Sequence, residues 1–175
     1  EEGKKVIVTT STHLQTPPEE IRAWNIEEVR SLWKSDQIAV IGTDCESNKN
    51  LAAGDQAAVN QMENKKSVKK MRMPDGSFLQ EVLQEAEVVL IEADGAKHLP
   101  CKVPIEKEPV IIPECTDVIA VVGMDALGKP LEEVCFRKDL AVQFLNKSYK
   151  HLMAEEDIAK ILSSVQGARK GVEDR

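Results

Sequence analysis

Glu92 and Asp94 are the carboxylates of this 175-residue chain best spaced to hold a metal ion, because they follow directly on Val88-Val89-Leu90-Ile91 and lead into Gly95. Four aliphatic residues in a row read as a strand buried on both faces, as in a parallel sheet covered by helices. An open α/β sheet takes its ligand outside the carboxyl ends of its strands, where these carboxylates fall. A carboxylate there reaches Mg²⁺ directly or through water, the arrangement of a Walker B strand. Gly95 lets the backbone approach a terminal phosphate, since no Cβ stands in the way. Many α/β strands end in an acidic residue without a ligand, so the spacing alone leaves a plain strand end open.

A second group of polar residues closes another short apolar run. Val6-Ile7-Val8 reads as a buried strand and ends in Thr9-Thr10-Ser11-Thr12-His13. Hydroxyls at a strand's carboxyl end suit Mg²⁺ or phosphate oxygens, yet Thr and Ser also terminate strands and cap turns, and the residues alone favour the latter. Two further stretches come close to known motifs. Gly123-Met124-Asp125-Ala126-Leu127-Gly128-Lys129-Pro130 nearly spells a Walker A loop, but Pro130 stands where a Ser or Thr hydroxyl must reach the metal. Proline also lacks the N–H that a phosphate nest needs. This is therefore a loop that leaves Asp125 and Lys129 able to face a ligand, with turn capping equally open to Asp125. Asn146-Lys147-Ser148-Tyr149 lacks the Asp of a guanine-reading N-K-x-D, and it closes a helix rather than a strand.

The elements that must position these residues alternate. Thr16-Pro17-Pro18-Glu19 reads as a helix start with Thr16 as cap and Glu19 as capping-box partner, running to about Lys34 with Ile26, Val29 and Trp33 on one face. Ile38-Ala39-Val40-Ile41 is another buried strand. Ser47 to Ser77 is polar, with a basic cluster at Lys65, Lys66, Lys69, Lys70 and Arg72. It reads as a solvated insertion, the alternative being a mobile flap whose lysines meet phosphate. Ser77 caps a helix with Phe78, Val82, Leu83 and Ala86 inward. Four prolines between Leu99 and Glu114 exclude a helix or central strand there and leave an extended segment with Val110-Ile111-Ile112 packing inward. Val118-Ile119-Ala120-Val121-Val122-Gly123 reads as the next buried strand. Two helices follow, marked by Leu140, Phe144 and Leu145, then by Ile158, Ile161, Leu162 and Val165, with Gly167 as a stop. Strands alternating with helices define one α/β domain over residues 1–175 with a largely parallel sheet.

Bulk composition excludes several classes. A net charge of -7 argues against a general nucleic-acid binder, which needs a basic face. No apolar run approaches the ~18 residues of a membrane span. Cys45, Cys101, Cys115 and Cys135 form no C-x-x-C pair, which favours reduced thiols in a cytoplasmic protein over a disulfide or zinc site. The text begins with what reads as the second strand of a nucleotide-binding sheet and stops after a helix where a strand is expected. Its first and last elements are therefore expected to be missing.

Taken together, Lys4 to His13, Leu90 to Lys97, Glu108 to Pro113 and Val121 to Pro130, with Cys135-Phe136-Arg137, resemble the YqeC family, accessory proteins of selenium-dependent molybdenum hydroxylases. The resemblance spans about residues 3–172, without support for the 47–77 insertion. It implies a three-layer P-loop NTPase-like fold, helices on both faces of the sheet, with the first strand and its G-K-T-T phosphate loop absent from these residues. By that resemblance Thr10, Thr12, Glu92, Asp94, Gly95 and Lys97 ring the phosphates and Mg²⁺ of ATP or GTP. Glu92 and Asp94 are then the metal ligands and catalytic carboxylates. The partners implied are a nucleotide and a molybdenum hydroxylase or its maturation machinery; nucleic acid and membrane are not expected, and a homodimer is left open.

Three functions follow. The first is an NTP-dependent maturation factor in which hydrolysis switches the loops after the strands. The second is a non-catalytic carrier that hands a cofactor or selenium species to a partner through an exposed Cys45 or Cys101. The third, a transferase acting on a phosphorylated cofactor, shares the first one's site.

Overall fold

A computed structural model of the chain describes residues 3–35, 38–45 and 69–172. The chain divides into two compact units, Glu1–Glu92 and Ala93–Arg175.

The first unit is organised by β1 (Val6–Thr10), which lies between β4 (Ala39–Ile41) and β7 (Val88–Glu92). With β3 (Arg22–Ala23) these make a four-stranded parallel sheet in the order β3-β4-β1-β7. The β-branched residues read as strands do form them, and Ile7, Ala39 and Ile41 are fully buried. β7 differs from expectation. Among the described residues it pairs with β1 alone, so it is an edge strand, and Leu90 is 52% exposed rather than buried on both faces.

The helix expected from Thr16 begins later, as α1 (Ile26–Lys34). Asn25 is its cap: its side chain accepts from the Glu28 amide at 2.9 Å, while Glu28 Oε2 accepts from the Trp24 amide at 2.8 Å. Those reciprocal bonds satisfy helix-end donors that Thr16 does not reach. Upstream, Glu19–Ile21 makes only a single 3-10 turn before β3. The apolar face is as read, with Ile26, Val29 and Trp33 buried and Trp33 Nε1 donating to the Val6 carbonyl at 3.1 Å. α2 (Gly76–Glu85) has Asp75, not Ser77, at its cap position and buries Leu79 and Val82.

A small antiparallel sheet unread from the sequence joins β2 (His13–Gln15), β6 (Lys70–Arg72) and β5 (Thr43–Asp44) in the order β2-β6-β5. Its period of two buries Met71 completely while Lys70 and Arg72 face solvent. The proposed insertion therefore ends in a strand and a helix start. Lys65, Lys66 and the rest of its polar stretch through residue 68 lie outside the described residues.

The second unit is built on a two-stranded parallel ladder, β8 (Cys101–Lys102) with β9 (Cys135–Phe136), which sets Cys101 opposite Cys135. α3 (Leu131–Val134), α4 (Lys138–Leu145) and α5 (Glu155–Ser163) close over it. Cys101, Val103, Leu131, Cys135, Met153 and Ile161 share one apolar core. After α5 the chain folds back so that the Ala168 amide donates to the Ile161 carbonyl at 2.8 Å. A Cβ on Gly167 would stand 2.1 Å from that carbonyl oxygen, so only glycine fits the stop read there.

Val118–Gly123 is not a strand. Ile119 and Val121 are 82% and 83% exposed. A run of β-formers becomes a strand only where a neighbour takes its N–H and C=O groups, and none of the described strands does. Of Val110-Ile111-Ile112, only Ile112 is buried.

Candidate functional site

In the first unit the carboxyl ends of β1, β4 and β7 lie at one edge of the sheet, because the three strands are parallel. Thr10 stands in register with Glu92 across β1 and β7. The hydroxyls there are already engaged. Thr9 Oγ1 donates to the Ile41 carbonyl at 2.9 Å, and Thr10 Oγ1 donates to the Glu92 carbonyl at 3.0 Å. Both threonines are fully buried. Thr10 Oγ1 also accepts the Thr12 amide at 3.0 Å and lies 3.3 Å from Thr12 Oγ1. The Ser11 amide donates to the Glu92 carbonyl at 3.0 Å. The edge thus gathers Thr10, Thr12 and Glu92, with the Thr10 hydroxyl holding the Glu92 backbone.

The second unit gathers the other candidates around charges the sequence did not single out. Lys102 pairs with Asp94 and, at 2.8 Å, with Glu108 Oε2, and it donates to the Gly95 carbonyl at 3.0 Å. Arg137 takes both oxygens of Glu108, at 2.5 and 2.7 Å, in the forked geometry that guanidinium favours. Burial works against the charge of Glu108, but Arg137 and Lys102 outweigh it and hold the carboxyl down at about 2. Asp94 goes the other way: burial raises it, and Lys102 only partly offsets that while the Glu108 charge adds to it.

Lys97, Lys102 and Arg137 place their cationic groups 5.2, 5.4 and 5.1 Å from the centre of the Phe136 ring, within cation–π range. Lys97 and His98 both have positive φ, 51° and 64°, in a tight turn closed by the Leu99 amide on the Ala96 carbonyl at 3.0 Å. Two successive positive φ values mark a type I′ turn, which favours Gly, Asn or Asp. Lys and His hold it here at a backbone cost of order 1 kcal/mol each. Arg137 is also left-handed, at φ 62°.

Asp125 is not in this cluster's bonding. It pairs with Lys129 at 3.7 Å, both largely exposed, in the loop after Gly123. Glu108, Phe136 and Arg137 lie in stretches that carry the family resemblance but take no role from it, and the sequence does not single out Lys102 at all. Lys102 and Asp94 lie 8 residues apart and Arg137 and Glu108 lie 29 apart, joined across loops rather than within one helix or strand. Cys101, read as an exposed carrier thiol, is 1% exposed, and burial pushes it up to about 11. Cys135 opposite goes up to about 12 for the same reason, which removes thiolate character from both. Among the described residues no group of three or more His, Cys, Asp or Glu side chains converges on a metal position, and no helix is long and apolar enough to cross a membrane.

The fold and the edge residues define an α/β protein with a mostly parallel sheet whose strand ends collect hydroxyls and a carboxylate. The family described as YqeC protein matches residues 1–139, and the chain belongs to that family. All four blocks that carry the resemblance fall inside the match. A relative from Escherichia coli (strain K12), described as "Uncharacterized protein YqeC", is 35% identical over 89 residues; these span 50% of this chain and 35% of that protein. No solved structure matches the chain.

Proposed function

We propose that the chain is part of a Mg²⁺-dependent nucleotide-binding accessory factor, a P-loop NTPase-like protein that serves maturation of a selenium-dependent molybdenum hydroxylase. The observation that carries the reading is the register of Thr10 with Glu92 at the carboxyl ends of adjacent parallel strands. That is the edge at which α/β sheets take phosphates and metal. Glu92 is the carboxylate assigned to the metal. Thr12 is the second hydroxyl of that edge, and the family resemblance alone adds Asp94, Gly95 and Lys97 as residues toward metal and phosphate. Phosphoryl transfer is mainly positioning and charge stabilisation, so NTP hydrolysis here would drive a switch in the loops after the strands.

Equilibrium binding of ATP and GTP to the whole protein with Mg²⁺ tests this, with Glu92→Gln alongside. The wild type should bind one of them and the variant should lose the Mg²⁺-dependent part. Absence of nucleotide binding by the wild type would overturn the reading.

A further inference from the structure

Strand β6 returns the chain toward the rim of the parallel sheet and ends in a cation. β2 starts at His13, directly after Thr12, and β5 starts at Thr43, just past the end of β4; β6 runs antiparallel between them. Arg72, the last residue of β6, is in register with both His13 and Thr43. The three form the row of the small sheet nearest along the chain to β1 and β4, and opposite residues of a ladder lie about 5 Å apart. Met71 is fully buried, which fixes the face that Arg72 takes. Asp44 is in register with Met71 and so stands on the other face. Gly42 joins β4 to β5, and a Cβ there would lie 2.8 Å from the Arg72 carbonyl oxygen. Glycine at that joint lets the end of β6 come this close.

Arg72 is exposed in a chain of net charge -7, and among the described residues no carboxylate pairs with it. Thr10 and Thr12 are neutral and Glu92 is acidic, so the gathered rim residues offer a phosphate no positive charge. Transferring phosphoryl groups are held chiefly by charge. We propose that Arg72 is a phosphate-binding residue of this rim, carried to it by β6. Its guanidinium can fork onto two phosphate oxygens, which a lysine cannot do. The nucleotide as ligand rests on the proposed function; the anion site itself does not.

Calorimetric titration of the whole protein with ATP, GTP and inorganic tripolyphosphate, each with Mg²⁺, compares wild type with Arg72→Gln and Lys70→Gln. Lys70 shares the face and the charge but lies further from Thr12, in register with Gln15. Arg72→Gln should weaken binding at least about tenfold, the worth of one charge-assisted bond. Lys70→Gln should weaken it less than about threefold, because an exposed charge further off is screened. Arg72→Lys, which keeps the charge and loses the fork, should fall between. Both side chains are exposed, so melting temperatures should stay at the wild-type value. Nucleotide binding that ignores Arg72→Gln, or that weakens equally with Lys70→Gln, overturns the proposal and leaves the nucleotide reading standing. Arg72-dependent binding of tripolyphosphate without binding of ATP or GTP overturns the nucleotide reading and leaves the Arg72 site standing. If none of the three anions binds, both fall.

Discussion

Asp157→Ala should loosen the C-terminal helix pair of the second unit, and the structure sets the size of the effect. Asp157, on the first turn of α5, has a side chain only 7% exposed. Its carboxylate accepts the Ala154 amide at 3.0 Å and meets His151 Nε2 at 2.6 Å. Loss of a helix-end bond costs about 1 kcal/mol, and a charge-assisted bond is worth about 1.5 kcal/mol or more. Because the two share one carboxylate they are not additive, and a net loss of about 2 kcal/mol is expected. That corresponds to roughly thirtyfold faster amide exchange through local opening, since about 1.4 kcal/mol is a factor of ten. Hydrogen exchange read by mass spectrometry over residues 155–163 measures it directly.

The pH dependence follows from the same carboxylate. Burial opposes its charge, but the Ala154 amide and His151 outweigh that and hold it below its ordinary value of 3.8. A lowered folded value contributes stability that is full above 3.8 and is lost as pH falls through the folded value. The gap between wild type and variant should therefore be wide at neutral pH and close in acid. Exchange in α5 that changes less than about twofold at neutral pH would refute the reasoning, because a ΔΔG that small is what an ordinary surface substitution gives. So would a gap that persists unchanged in acid.

Two further outcomes follow. Thr10→Val keeps the shape but removes a buried hydroxyl that donates to the Glu92 carbonyl and accepts the Thr12 amide. It should lower stability by about 1–2 kcal/mol in urea unfolding followed by Trp33 fluorescence, and an unchanged midpoint would show that the hydroxyl does not tie β1 to β7. An aromatic disulfide reagent at mildly alkaline pH should modify the half-buried Cys45 and Cys115 well before Cys101 and Cys135, which are buried and held at about 11 and about 12. Equal rates at all four in the folded protein would contradict the second unit's packing.

What was legible in the sequence follows from range. Val6–Val8 and Ala39–Ile41 declare themselves because β-branched runs have few other uses, and the α1 face shows because Ile26, Val29 and Trp33 repeat at helical spacing. Each strand of the antiparallel sheet is two or three residues long, too short for alternation to be counted. Val118–Val122 carries the composition of a strand, and composition cannot report whether a neighbour is there to pair. Of the candidate residues, Glu92 is legible because it ends an apolar run, whereas Thr10 enters only through the family resemblance, its hydroxyl cluster alone reading as a strand end. Lys102, Glu108 and Arg137 are not legible, since what joins them is a set of contacts across the fold rather than a pattern along it.

The paired threonines of β1 have a kinetic consequence. Thr9 ties the end of β4 and Thr10 ties the end of β7, so one strand stitches the sheet's rim on both sides at consecutive positions. Opening any of these strand ends breaks a side-chain tie as well as ladder bonds, so amide exchange along the rim should be slow at all three strands together.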